Sequence, residues 1–262
     1  MTGRLAGKIA LITGAGCVGP GWGNGRAMAV RFAEEGAKVF AVDRDLERMS
    51  ETVERVRSAG GTIETYQADV TDSAAVAGMV QACVQRFGCI DVLVNNVGGS
   101  AAGGPVELSE EVWDAQVDAN LKSVFLELQA RAAGDGEPGA QAPSSTSPRR
   151  RALRWTGSAQ VAYAATKAGR HPALPGCRGA VRAKGIRVNT VVPGQLHTPM
   201  VEARLAGQRA GGDVEALLDA SANRAYRCHS WATAAIPPMP RCSSRPTRRA
   251  SSPERRSSST AA

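Results

Sequence analysis

Apolar positions in the first half of the chain fall into two alternating patterns. Lys8-Ile-Ala-Leu-Ile-Thr13 is a short unbroken apolar run ending in glycines, as a parallel strand covered on both faces requires. From Gly25 to Gly36 the period changes: Ala27, Val30, Phe32 and Ala33 share one helical face, and Gly36 supplies a stop. Lys38-Val-Phe-Ala-Val-Asp43 reads as a second strand and Ile90-Asp-Val-Leu-Val-Asn95 as another. Between them Leu46, Met49, Val53 and Val56, then Val76, Val80, Val84 and Phe87, keep helical spacing. Strands alternating with helices of this length predict right-handed βαβ units. The expected fold is α/β, a doubly wound parallel sheet in three layers, and 262 residues suit one such domain.

The pattern decays after Phe125. Residues 127–152 are rich in Ala, Gly, Pro, Ser and Arg and show no period. Order returns over Trp155–Gly169 and Lys184–Leu218, the latter holding the strand Ile186-Arg-Val-Asn-Thr-Val-Val192. From about Ala220 the chain is again Ser-, Pro- and Arg-rich, and such stretches read as disordered linker and tail.

The first candidate site sits between the first strand and the first helix. Thr13-Gly14-Ala15-Gly16 leaves the strand and Gly23-Asn24-Gly25 opens the helix. Glycines there let the backbone approach a pyrophosphate, whose charge is met by amides at the helix N-terminus. Asp43 ends the next strand, where a carboxylate accepts hydrogen bonds from a ribose diol and repels a 2′-phosphate. NAD is therefore the expected cofactor. Arg44 beside Asp43 leaves NADP as the lesser alternative. Residues 1–219 are expected to form the nucleotide-binding domain, with 220–262 as the tail.

The glycine loop, Asp69-Val70, Asn95-Asn96-Val97-Gly98, Asn120, Tyr163-Ala-Ala-Thr-Lys167 and Pro193-Gly194 follow one another in a characteristic order. In that order and spacing the chain resembles the short-chain dehydrogenase/reductases over residues 5–126 and 154–218. The glycine loop is about five residues longer than is usual there, through Cys17 to Trp22, and Val97 replaces the common alanine. The resemblance implies a Rossmann-like domain interconverting a secondary alcohol and a ketone by hydride transfer, usually as a homotetramer. It implies Tyr163 as general acid/base and Lys167, on the same helical face, as the cation that lowers the phenol's pKa from about 10 and holds the nicotinamide ribose. It implies Asn120 holding a water that links Lys167 to solvent. Asp69, with Val70 beside it, would face the adenine, and Asn95 and Gly98 the adenosine side. Pro193, Gly194 and Thr198 would flank the nicotinamide.

One element of the pattern is missing. The family places a serine about a dozen residues before the tyrosine, at the end of the fifth strand, to hold the substrate oxygen. That window reads Arg149-Arg150-Arg151. A buried cation there would demand solvent, so the chain is either a catalytically impaired nucleotide-binding protein or the product of a shifted reading frame. Bases able to encode Ser144 to Arg149 spell Ile-Val-Asn-Ile-Ser-Ser when read one frame over, with the serine at the place of Arg149. Leu128–Gly136, Arg170–Arg182, Ala225–Ser244 and Ser251–Ala262 likewise hide family-like helix and strand sequences. As written, no fifth strand is expected from Pro143 to Arg151, because a central parallel strand is apolar on both faces. Residues near 131–152 and beyond 220 are expected to pack poorly, and a helix over 170–182 is expected only from the corrected frame.

Charge follows the same division. Residues 1–126 carry a net −5 and residues 127–262 a net +13. A basic half can mark a nucleic-acid surface. Here the five lysines stand at 8, 38, 122, 167 and 184, and the suspect stretches are basic through arginine alone. A GC-rich gene read out of frame yields that texture, so no nucleic-acid partner is expected and the substrate is a small alcohol or ketone. No apolar run reaches the roughly 20 residues of a membrane span. Cysteines 17, 83, 89, 177, 228 and 242 show neither metal-ligand nor disulfide spacing, which points to free thiols, no metal and a cytoplasmic setting.

Overall fold

A computed structural model describes residues 3–133, 141–145, 159–181, 184–191, 193, 196–208 and 232–233. Six parallel strands form one sheet in the order β3-β2-β1-β4-β5-β6. They are β1 (Ile9–Thr13), β2 (Lys38–Asp43), β3 (Thr62–Gln67), β4 (Val92–Val94), β5 (Gln141–Ser145) and β6 (Arg187–Val191). The helices are α1 (Asn24–Glu34), α2 (Ser50–Ser58), α3 (Ser73–Phe87), α4 (Glu110–Val117), α5 (Ser123–Ala133), α6 (Val161–Val181) and α7 (Pro199–Gln208). This is the expected doubly wound α/β domain.

Two apolar layers hold it together, and β1 shows why. Its alternate residues Ile9 and Leu11 join one cluster with Val42, Met79, Leu93 and Val124. Ala10 and Ile12 join another, with Ala29, Phe32, Val39, Met49 and Val56. Successive side chains on a strand point to opposite faces, so a strand with helices on both sides must be apolar throughout. All five residues of β1 are buried. The third strand, Thr62–Gln67, does not appear in the sequence reading. It lies at the sheet edge, where only Ile63 is fully buried, and edge strands carry polar residues.

Four expectations for the second half are corrected. A fifth strand does form from the written sequence: Gln141–Ser145 pairs with β6 at five positions, Gln141↔Arg187 to Ser145↔Val191. With β4 it pairs at Val92↔Gln141. A β-ladder is made by backbone groups, and the slot between β4 and β6 can be filled by a segment whose composition alone argues against a strand. Likewise α5 runs to Ala133, beyond the point where the apolar pattern fades, and α6 continues from Val161 to Val181 across Pro172 and Pro175. Within the stretch read as tail, Ala232–Thr233 pairs with Leu196–His197. Residues 134–140, 146–158, 209–231 and 234–262 lie outside the described residues, Arg149 among them.

The packing of the same half does show poorly matched charge. Arg131 on α5 is 4 % exposed, and its Nη2 donates to the Ile90 carbonyl at 2.9 Å. Its Nε has no hydrogen-bond partner among the described residues. Glu127, one turn earlier, is 1 % exposed under the end of β1. Burial drives its pKa up to about 8, although a 3.2 Å bond from Thr13 Oγ1 and the charge of Arg170 act the other way.

Because the folded-state value lies above the ordinary carboxylate one, Glu127 binds a proton in the folded state that the unfolded chain has released. That contribution is complete below about pH 4.5 and is lost as pH rises to about 8. Glu127→Gln, neutral at every pH, should flatten this dependence and raise stability near pH 8 by on the order of 2 kcal/mol. Thermal melts of both proteins from pH 5 to pH 9 check it, and parallel curves would contradict it.

Candidate active site

The sheet order places β1 between β2 and β4, so the chain reverses direction beside the C-terminal ends of β1 and β4. In open α/β sheets that crevice is where ligands bind. Gly14, Gly16, Gly23, Asn24, Gly25 and Asp43 stand at or beside the end of β1.

Gly14 has φ +63°. A Cβ on Gly25 would stand 1.9 Å from the Gly14 carbonyl oxygen, so strand end and helix start touch through backbone alone. Asn96 ties the loop to β4: its Nδ2 donates to the Gly14 carbonyl at 2.9 Å, and its backbone N–H donates to Thr13 Oγ1 at 3.3 Å. Gly23 caps α1 without a side-chain hydrogen bond, and no acid occupies the first turn. By contrast α3 is capped by Asp72, which accepts from Ala74 at 2.7 Å, and α4 by Ser109. Among the described residues no side chain caps the amides that open α1 at Asn24 and Gly25, an arrangement in which a helix start can receive an anion.

Asp43 ends β2 beside this loop. Its Oδ2 accepts from the Gly16 N–H at 3.0 Å and its Oδ1 from Asp45 N–H at 3.3 Å. Each oxygen keeps a further lone pair, so the carboxylate is oriented and still able to accept from a diol. Asp69 follows β3, and its Oδ1 accepts from the Thr71 N–H at 2.9 Å and hydroxyl at 2.8 Å. Val70 is buried in the core and Asn95 is 1 % exposed at the end of β4.

The polar group around Tyr163 is assembled from three elements. Asn120 stands in a π-helical turn, Asp118–Lys122, between α4 and α5, and is fully buried. Its Oδ1 accepts from Gly99 N–H at 2.9 Å while its Nδ2 donates to the Gly99 carbonyl at 2.8 Å and to Gln116 Oε1 at 3.3 Å. The extra residue of such a turn shifts the side chain off the regular helical face. Gly98 shows how closely the parts meet: a Cβ there would lie 2.8 Å from Asn120 Oδ1 and 3.1 Å from Lys167 Nζ. Lys167, 4 % exposed, sets its ammonium 5.4 Å from the Tyr163 ring centroid, one helical turn away on α6. Arg170, a turn further on, is buried, and burial lowers its pKa to about 10 against the opposing charges of Glu127 and Tyr163.

Pro193 lies after β6, and Thr198, largely buried, opens α7 by accepting from the Val201 N–H at 2.8 Å. Gly194 lies outside the described residues. Asn96, Gln116 and Arg26 join the site's framework without having been singled out beforehand. Only Asn96 carried a signal, its place inside the Asn95–Gly98 motif. Among the described residues no cluster could hold a metal ion, and no helix is long and apolar enough to cross a membrane.

Known proteins agree with this architecture. The short chain dehydrogenase family matches residues 8–209, and the chain belongs to that family of oxidoreductases. It is similar to a (2S)-[(R)-hydroxy(phenyl)methyl]succinyl-CoA dehydrogenase subunit of Thauera aromatica, 38 % identical over 74 % of this chain and 75 % of that one. It is also similar to a 3-oxoacyl-[acyl-carrier-protein] reductase of Thermotoga maritima, 35 % identical over 76 % and 78 %. Among solved structures, a Burkholderia xenovorans protein assigned to the short-chain dehydrogenase/reductases is 50 % identical. It superposes with a TM-score of 0.78 over 85 % of this chain and 83 % of that one. The family binds a nicotinamide nucleotide and acts on small molecules.

Proposed function

We propose that the protein is an NAD(H)-dependent dehydrogenase or reductase that interconverts a secondary alcohol and a ketone, with Tyr163 as general acid/base. The observation that carries this reading is the buried Lys167 ammonium, 5.4 Å from the Tyr163 ring and gathered with Asn120 against Gly98. A cation so placed favours the phenolate, which can then take the hydroxyl proton of an alcohol or return it to a ketone oxygen. Asn120, fixed by Gly99 and Gln116, would hold a water through which Lys167 exchanges that proton with solvent. Bound nicotinamide supplies the hydride acceptor or donor. Gly14, Gly16, Gly23, Asn24 and Gly25 would meet its pyrophosphate, Asp43 the adenosine ribose, and Asp69, Val70, Asn95 and Gly98 the adenosine side. Lys167 would hold the nicotinamide ribose, with Pro193, Gly194 and Thr198 beside the ring.

Asp43 decides between the two nicotinamide cofactors. A carboxylate within reach of the ribose diol repels a 2′-phosphate, so NADH should bind more tightly than NADPH by about tenfold or more. Fluorescence titrations with both check this. Equal binding, or tighter NADPH binding, would mean that Arg44 or the long glycine loop overrides the acid.

A second reading is favoured by Arg149-Arg150-Arg151, which stands where the family needs its serine. With those arginines in the polypeptide the protein would bind nucleotide and turn over poorly. An intact mass measured on protein made from the gene separates this from a shifted frame: agreement with the written sequence keeps the arginines.

A further inference from the structure

The long glycine loop has its own anchorage, and it converges on one buried arginine. Arg26 on α1 is 2 % exposed. Its Nη1 bonds both the Gly21 carbonyl and Glu51 Oε2, the latter at 2.5 Å, its Nε donates to Thr52 Oγ1 at 3.2 Å, and its Nη2 reaches the Arg48 carbonyl at 3.5 Å. Each partner leads back to the loop. Thr52 Oγ1 donates to the Ala15 carbonyl at 2.9 Å, and the Arg48 carbonyl also accepts from the Cys17 N–H at 3.2 Å. Gly21 is in the loop itself. Glu51 additionally holds Arg55, at 2.9 and 2.6 Å, and the Arg55 guanidinium lies 4.3 Å over the Trp22 ring. Burial opposes ionisation of Glu51, but Arg55 and Arg26 outweigh it and keep its pKa below the usual carboxylate range.

The other side of the loop faces the far wall of the crevice. A Cβ on Gly19 would lie 3.4 Å from Pro199 Cβ, at the start of α7, and one on Gly21 3.9 Å from Pro199 Cγ. The segment therefore spans from α2 to α7 across the mouth where strand β1 ends. A loop this rich in glycine has many conformations to lose; Arg26 fixes it directly at Gly21 and, through Thr52 and the Arg48 carbonyl, at Ala15 just before it and at Cys17.

We infer that Arg26 is the positioning residue of the cofactor site: through Gly21, Thr52 and the Arg48 carbonyl it holds the Cys17–Trp22 loop in the shape that receives the dinucleotide's pyrophosphate. This rests on the proposed nicotinamide-nucleotide reading. Arg26 touches neither the substrate nor the reacting atoms, so its effect falls on cofactor affinity.

The test compares Arg26→Met, which keeps the stem and removes the fork, with Arg26→Lys and wild type in the full chain. Calorimetric titration uses NADH, ADP-ribose and adenosine, and kcat is taken at saturating cofactor. Arg26→Met should weaken NADH and ADP-ribose about tenfold, leave adenosine within about twofold, raise the cofactor KM and leave kcat within about twofold. Arg26→Lys should recover part of the loss. NADH binding unchanged in Arg26→Met, or equal loss for adenosine and ADP-ribose, would overturn the inference. If Arg26→Met does not fold by circular dichroism, Glu51→Gln reads the same network. It should weaken NADH several-fold with adenosine unchanged, and an unaltered NADH affinity counts against the inference. Failure of the wild-type protein to bind NADH would overturn the nucleotide reading itself.

Discussion

Tyr163→Phe should lower kcat by about 10²–10⁴-fold while leaving the dissociation constant for NADH within a few-fold. The substitution removes one oxygen from a partly buried ring and leaves the ring's contacts with Lys167 in place. What would be lost is the group proposed to move the proton in the transition state, so binding should be spared and turnover should not. Steady-state rates with a secondary alcohol accepted by the wild type, beside a fluorescence titration of NADH, read the two quantities separately. A variant that keeps the wild-type rate would sink the assignment of Tyr163.

Lys167→Ala should damage both quantities, lowering kcat by a similar factor and raising the NADH dissociation constant by about tenfold. Lys167 is buried between Asn120, Gly98 and the Tyr163 ring. Its removal takes away the cation proposed to favour the phenolate and the donor proposed for the nicotinamide ribose. Lys167→Arg should not restore the rate, because a planar fork does not fit a space where the ammonium already stands 3.1 Å from the position of a Gly98 side chain. The same paired measurement decides. Loss of kcat with unchanged NADH affinity would confine Lys167 to the phenol.

Elements buried on both faces were legible in the sequence. Strands β1, β2 and β4 and helices α1 to α3 follow from apolar runs and helical spacing, since the two core layers leave little choice of residue. Strand β3 was not legible because its outward residues face water at the sheet edge. The end of α5 was hidden for the opposite reason: Glu127 and Arg131 lie in the core with ionisable side chains, which no hydrophobic pattern announces. Strand β5 and the latter half of α6 form from Pro-, Ser- and Arg-bearing sequence, against the composition-based expectation.

At the site, Tyr163, Lys167, Asn120 and Gly98 were found by motif and are brought together. Arg26 was not, because an arginine in a helix reads as a solvated face until its partners are seen. The internal mismatch of the second half remains in physical form. The core carries Glu127 pushed up to about 8 and Arg170 pushed down to about 10, both by burial. Apolar residues at those positions would pack the same helices without that cost.

The proposed reaction is a hydride transfer between a carbinol carbon and nicotinamide within the Tyr163–Lys167 site. Its most direct test incubates the purified protein with NAD+ and secondary alcohols deuterated at the carbinol carbon, followed by mass analysis of the nucleotide. The wild type should form reduced nucleotide carrying one deuterium, and Tyr163→Phe should form it about 10²–10⁴-fold more slowly. Reduced nucleotide without deuterium, deuterium transfer at the same rate in Tyr163→Phe, or no transfer from any alcohol by protein that binds NADH would contradict it.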